Sequence, residues 1–226
     1  MKLPITSITP FTFQDYPEHT ACILWFSGCN MRCIYCHNPE LVYGYLRKLP
    51  YAQISSFLES RAGLLDGVVL SGGECTLSPE LPEFIRYLKS LGYKIKIDTN
   101  GTNPDLLEKL LQDELVDFIA MDFKAPEEKF HSVTGFDGYT SFHRSLKMLC
   151  ESNIDVEIRT TVHTSLINEE DVNKMIDLLE GHNFHGTYVI QKFREGKNLG
   201  NIPAPDAQFY HSRLNIPSFE VRLRNF

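Results

Sequence analysis

No run of about eighteen apolar residues occurs anywhere in the chain, so no helical membrane span is expected. Met1 to Pro10 likewise lacks an apolar stretch behind a positive start, and a cytoplasmic protein is expected. Basic excess is missing too. With 22 Lys and Arg against 29 Asp and Glu, the formal charge is −7, which excludes a chain whose main task is to coat phosphate backbones or anionic membranes. Arg213, Arg222 and Arg224 make the C-terminal end only mildly basic. Cysteine is scarce: six residues are too few for a disulfide scaffold in a chain of 226, and in a reducing compartment they are expected as thiols or metal ligands. What is abundant is ordinary. Apolar residues at 42% and charged residues at 23% suit one globular domain over 1–226 with a sizeable core.

Short β-branched and aromatic runs recur at Ala21 to Phe26, Gly67 to Ser71, Tyr93 to Thr99, Phe118 to Phe123, Asp155 to Val162 and Tyr188 to Phe193. Between them lie amphipathic segments at Tyr51 to Ser60, Leu81 to Leu91, Asp105 to Leu111, Tyr139 to Cys150 and Glu169 to Glu180. Pro82 in a first turn, Gly92 after a last turn and Asn168 at an N-cap are the expected helix starts and stops. Alternation of this kind predicts an α/β fold with a largely parallel sheet, either doubly wound or a partial barrel. Gly196 to Asp206 reads as loop, and the last twenty residues as a helix and an edge strand. In either architecture ligands sit at the C-terminal strand ends. Here those ends read Ser27-Gly28-Cys29, Ser71-Gly72-Gly73-Glu74, Asp98-Thr99-Asn100-Gly101, Asp122-Phe123-Lys124 and Arg159 to His163, all polar or sulfur-bearing.

Cys29, Cys33 and Cys36 place three thiols within one loop after the first of these strands, enough to hold a [4Fe–4S] cubane with one iron left open. Two other chemistries stay open on the cysteines alone. Cys33-Ile34-Tyr35-Cys36-His37 matches covalent haem attachment, and the three cysteines with His37 offer zinc four ligands. Asp98 and Thr99 at one strand end and Asp122 at another are hard oxygen donors suited to a hard cation. Lys124 and Arg159 are cations at strand ends where a carboxylate or ribose would find them. Cys22 and Cys150 are expected as buried apolar groups, and His163 alone among the scattered histidines falls near a strand end.

The spacing C-x-x-x-C-x-x-C with Tyr35 before the last cysteine, followed by Gly72-Gly73-Glu74, resembles the radical S-adenosylmethionine superfamily. Cys36-His37-Asn38-Pro39, Asp98-Thr99-Asn100-Gly101 and Met121-Asp122-Phe123-Lys124 resemble its glycyl-radical-enzyme activases. Leu64 to Val69 and Arg159 to His163 are most similar to activating proteins of anaerobic ribonucleoside-triphosphate reductase. The match runs from about Phe13 to Arg194, leaving 195–226 as an extension. The resemblance implies a partial (β/α)6 TIM-like barrel. It implies a cluster on Cys29, Cys33 and Cys36 whose open iron is chelated by S-adenosylmethionine. It implies that Tyr35, Gly72, Gly73, Glu74, Asn100, Lys124 and Arg159 hold that molecule, and that Asp98, Thr99 and Asp122 hold a monovalent cation beside it. The implied partners are a glycyl radical enzyme, anaerobic ribonucleotide reductase foremost, and a flavodoxin or ferredoxin-type electron donor. A radical enzyme acting on a peptide or small molecule is the alternative within the same chemistry, and a non-catalytic iron–sulfur or zinc module the alternative outside it. Cys75 departs from the family pattern, which has proline there, and is expected as a nearby thiol rather than a fourth ligand.

Overall fold

The computed structural model describes all 226 residues. Strand β1 (Ile5–Thr12) pairs antiparallel with β2 (Ala21–Phe26), which pairs parallel with β3 (Gly67–Gly72), and β3 with β4 (Lys94–Thr99). After β5 (Phe118–Asp122), strand β6 (Asp155–Val162) pairs parallel with β7 (Thr187–Lys192), and β7 with β8 (Glu220–Arg224). The eight strands stand in the sheet in chain order. The chain gathers into two compact units: Met1–Asn30 with Glu40–Thr99 and Asn103–Ile119, and Met31–Pro39 with Asn100–Thr102 and Ala120–Phe226.

In the first unit, α2 (Tyr51–Arg61) buries Ile54 and Leu58, four residues apart and therefore on one face. Helix α3 (Leu81–Ser90) takes Pro82 in its first turn and buries Leu81, Phe84, Ile85 and Leu88, a stripe with the helical period. Helix α4 (Pro104–Gln112) is capped by Asn103, whose Oδ1 accepts from Leu106 N at 3.4 Å. Both faces of the sheet are covered, which is why Ile95 and Ile97 are buried on one side of β4 while Lys96 is buried on the other. On that second face the register aligns Ile23 with Val69 and Val69 with Lys96; one step later Trp25 aligns with Ser71. The floor below the strand ends is apolar, built by Tyr16, Ala21, Ile23 and Val69 with Trp25 and Phe118 against them. Lys96 apart, polar groups on this face begin at the upper layer, where chemistry can reach them.

In the second unit, α5 (Glu127–Thr134) ends on Gly135 at φ +63°, a left-handed cap that glycine takes without strain. Helix α6 (Tyr139–Cys150) buries Phe142, Leu146 and Leu149, and Phe142 packs on Phe123 and Phe130 with ring centroids 4.8 and 5.7 Å apart. Helix α7 (Glu169–Gly181) opens with a reciprocal capping box: Asp171 N donates to Asn168 Oδ1 at 3.1 Å, and Asn168 N to Asp171 Oδ2 at 2.9 Å.

The six strands expected from the sequence are β2 to β7, each within about a residue of its expected bounds. Strand β1, the five-residue α1 (Pro39–Tyr43) and α5 were not expected. The C-terminal edge strand exists as β8, but the helix expected before it is a single 3₁₀ turn, His211–Arg213. No helix is long and apolar enough to cross a membrane.

Candidate functional site

In the first unit Gly28, Cys29, Ser71 to Glu74 and Asp98-Thr99 cap β2, β3 and β4. Gly28 N donates to Leu41 O at 2.6 Å and Cys29 N to Val42 O at 3.2 Å, so α1 fixes the start of the cysteine loop. The two glycines after β3 answer to backbone. A Cβ on Gly72 would lie 2.2 Å from Phe26 O, and one on Gly73 2.2 Å from Gly28 O. Close packing of β2 against the end of β3 therefore requires both glycines, whatever a ligand adds. Glu74 is buried, and its Oε1 accepts from Thr76 N at 3.1 Å, Thr76 Oγ1 at 2.6 Å and Thr99 Oγ1 at 2.8 Å. It caps the turn Cys75–Leu77 and ties β3 to β4.

Cys75 is fully buried and its Sγ donates to Asp98 O at 3.5 Å. Burial, followed by the Glu74 and Asp98 carboxylates, holds its pKa well above the ordinary thiol range, so it stays protonated. A protonated thiol committed to a carbonyl is a poor metal ligand. Cys22 is similarly inert, its pKa pushed up to about 12 by burial. Cys150 is only half-buried, less than expected.

The second unit holds Cys33, Tyr35, Cys36, Asn100, Lys124 and Arg159. Residues 31 to 36 have no helix or strand, yet Arg32 N donates to Thr134 O at 2.7 Å and Ile34 N to Val133 O at 3.1 Å. From the other side, Leu199 N donates to Cys36 O at 2.9 Å and Gly200 N to Ile34 O at 2.7 Å. Four long-range backbone bonds thus do for this loop what a ladder does for a strand. His37 is turned away to the same clamp: its Nδ1 lies 3.1 Å from Lys197 O and its ring stacks on Phe193. His163 behaves alike, with Nε2 at 2.9 Å from Pro203 O.

Sequence reasoning took 196 to 206 as loop and missed this role. Asn198 organises it: buried, its Nδ2 donates to Gly196 O and Ile202 O, both at 3.0 Å, and its Oδ1 accepts from Ile202 N at 2.8 Å. A polar residue inside a Gly-rich loop was the only signal. Asn198→Ala is expected to lower stability by about 2–3 kcal/mol and to speed hydrogen exchange at the Leu199 and Gly200 amides, read by mass spectrometry.

Asp122 joins the two strand-end cations of this unit. Its Oδ2 accepts from Lys124 Nζ at 2.8 Å and its Oδ1 from Arg159 Nε at 2.9 Å. Burial is the largest single effect and works against the Lys124 ammonium, but the Asp122 carboxylate together with Tyr35 and Cys33 holds the pKa well above the ordinary value. Two cations at the strand ends, ordered by one carboxylate, are suited to meet an anionic ligand group. Lys124 Nζ also stands 5.9 Å from the centroid of the Tyr35 ring. Tyr35 is buried, its phenol pKa raised by that burial, and its hydroxyl has no hydrogen-bond partner. An orphaned buried hydroxyl beside a paired lysine is what a missing polar ligand leaves behind. Asn100, by contrast, spends its Oδ1 on Thr102 N at 3.0 Å and Thr102 Oγ1 at 2.7 Å, a turn of its own.

None of Cys29, Cys33 and Cys36 is in a disulfide. In neither unit do three or more His, Cys, Asp or Glu side chains gather as a metal group, since Cys29 belongs to the first unit and Cys33 and Cys36 to the second.

The model of the radical SAM superfamily matches residues 23–180. This chain belongs to the radical SAM superfamily. A protein of Methanocaldococcus jannaschii whose name proposes a glycyl-radical enzyme activating enzyme is 33% identical over 199 residues, 85% of this chain and 81% of that one. The pyruvate formate-lyase-activating enzyme of Clostridium pasteurianum is 29% identical over 215 residues, 88% of this chain and 78% of that one. Among solved structures, Streptococcus suis SuiB bound to S-adenosylmethionine aligns with TM-score 0.67 at 15% identity. It is matched over 90% of this chain, which spans about half its length (52%), so the likeness speaks for the fold alone. The fold is accordingly the α/β radical SAM fold, with β2 to β7 and their helices as its partial (β/α)6 barrel, and the chain is a radical SAM enzyme. The haem and zinc alternatives fall with this assignment, and His37 is spent on the loop clamp. The family implies a [4Fe–4S] cluster and S-adenosylmethionine. Within the second unit the residues suit such groups: Cys33 and Cys36 lie outside any disulfide on a pinned loop, with the orphaned Tyr35 phenol and the Asp122, Lys124 and Arg159 group in the same unit.

Proposed function

We propose that the chain is a glycyl-radical-enzyme activating enzyme whose partner is anaerobic ribonucleoside-triphosphate reductase. The carrying observation is that the likeness to relatives named as activating enzymes runs over more than four fifths of this chain and includes the three-cysteine loop. When bound, a cluster would supply the one-electron reduction that breaks the S–C5′ bond of S-adenosylmethionine, releasing methionine and providing the means to take a hydrogen atom from a glycine α-carbon of the partner. In this proposal Cys29, Cys33 and Cys36 hold the cluster. Lys124 and Arg159 meet the anionic and ribose oxygens of S-adenosylmethionine, kept in place by Asp122, and Tyr35 turns its ring and hydroxyl to the same molecule. Gly72, Gly73 and Glu74 in the first unit and Asn100 in the second are the remaining residues proposed to bind the cofactor, with Glu74 also holding the β3 turn rigid. A flavodoxin or ferredoxin-type protein is the proposed reductant. The choice of reductase over other glycyl radical enzymes rests on Leu64 to Val69 and Arg159 to His163.

Anaerobic reconstitution tests both levels. The expected protein is brown and forms 5′-deoxyadenosine under reduction, and incubation with the reductase gives a glycyl doublet by electron paramagnetic resonance. Nucleoside formation without a doublet on the reductase, but with one on pyruvate formate-lyase, would reassign the partner. A doublet on neither would favour a peptide or small-molecule substrate.

A further inference from the structure

Lys96 lies in the middle of β4 with its side chain 3% exposed, a place lysine takes only with a partner. Its Nζ is 2.5 Å from Asp98 Oδ1, two residues on and hence on the same face, and 5.6 Å from the centroid of the Phe118 ring. Ser71 Oγ donates to the other oxygen, Oδ2, at 2.8 Å. An ammonium therefore stands against the carboxylate that the sequence offered to a monovalent cation. The remaining donors of that expectation are also committed. Thr99 Oγ1 donates to Glu74 Oε1, and in the second unit Asp122 accepts from both Lys124 and Arg159.

A cation site needs several oxygens directed at one point and no competing positive charge beside them. Here each carboxylate already faces one or two protein cations. The residues do not fit a bound monovalent ion. We infer that Lys96 is a positioning residue whose ammonium is the covalently attached counter-ion of Asp98, so that the enzyme binds no free monovalent cation at the end of β4. A tethered charge is always present, so the geometry of Asp98 is independent of the sodium or potassium around it.

Sodium-23 NMR relaxation of the full chain with potassium as competitor tests this without cluster or S-adenosylmethionine. Wild type is expected to show no potassium-displaceable broadening beyond that of Asp98→Asn. Lys96→Ala, which removes that ammonium and opens a space beside Asp98, is expected to gain it. Displaceable broadening in wild type that vanishes in Asp98→Asn overturns the inference, and that comparison stands even where Lys96→Ala does not fold. The second arm rests on the proposed function. S-adenosylmethionine affinity of the reconstituted wild type should vary by less than about twofold among sodium, potassium and choline chlorides at equal ionic strength. Lys96→Ala should lose about tenfold in choline and regain most of it in sodium or potassium. Lys96→Met, which keeps volume without space for an ion, should lose affinity in all three salts. A Lys96→Ala chain that folds and is indifferent to the cation in both arms overturns the inference. If wild type binds no S-adenosylmethionine at all, the proposed function fails while the sodium arm still decides the counter-ion.

Discussion

Cys33→Ala is expected to yield a folded, colourless protein that retains no iron after anaerobic reconstitution and forms 5′-deoxyadenosine only at background. The fold survives because the bonds that pin the loop, Arg32 N to Thr134 O and Ile34 N to Val133 O, are backbone bonds that do not use the thiol. Removing one small buried side chain costs about 1 kcal/mol. The cofactor does not survive, because two thiolates are left to hold four irons. Loss of a directly bonding ligand should exceed the roughly ten- to hundredfold effects seen when only a ligand's supporting partner is removed. Iron content, the visible spectrum and product formation read the loss, and circular dichroism reads the fold. Cleavage retained by the variant would refute the ligand role of Cys33.

Gly72→Ala is expected to fail at folding itself. Gly72 sits at φ +127°, and a Cβ would fall 2.2 Å from Phe26 O and 2.5 Å from Phe26 N. Both obstacles are backbone of a buried strand, so neither can swing aside, and relief requires breaking the β2–β3 register. A loss above about 3 kcal/mol follows from unfavourable backbone and clash together. Gly28→Ala is the control: its φ is +98° but nothing lies within 4 Å of the added carbon, so about 1–2 kcal/mol is expected. Urea unfolding midpoints compare the two. A Gly72→Ala chain as stable as wild type, with weakened S-adenosylmethionine binding, would show that this glycine answers to the ligand instead.

The βα alternation was legible because β2, β3 and β5 read as mostly apolar runs and β4, β6 and β7 as β-branched or aromatic residues alternating with polar ones. Strand β1 was not, because only Ile5 and Thr12 of its eight residues are buried and Pro10 interrupts it. Helix α5 was missed because Glu127 to Thr134 carries little apolar periodicity, with Phe130 and Val133 alone burying much surface. The cysteines and strand-end charges were legible as chemistry, since few residue types can do those jobs. Their partners were not. Lys96 in a strand reads like any surface lysine, and only its two-residue spacing from Asp98 hinted at the pair. Gly72 and Gly73 were legible as necessary, but the sequence could not tell a ligand from a neighbouring strand as the reason.

The bonds from Leu199 and Gly200 to the cysteine loop come from a segment beyond the residues that the superfamily model matches, 23–180. A chain trimmed to that span would keep Cys29, Cys33, Cys36, Gly72, Gly73, Asp98, Asp122, Lys124 and Arg159 and lose two of the four backbone tethers on residues 32 to 36. Where the family's recognisable pattern stops is therefore the wrong place to cut this enzyme, and a fragment that keeps these tethers and the Asn198 turn reaches at least to Ile202.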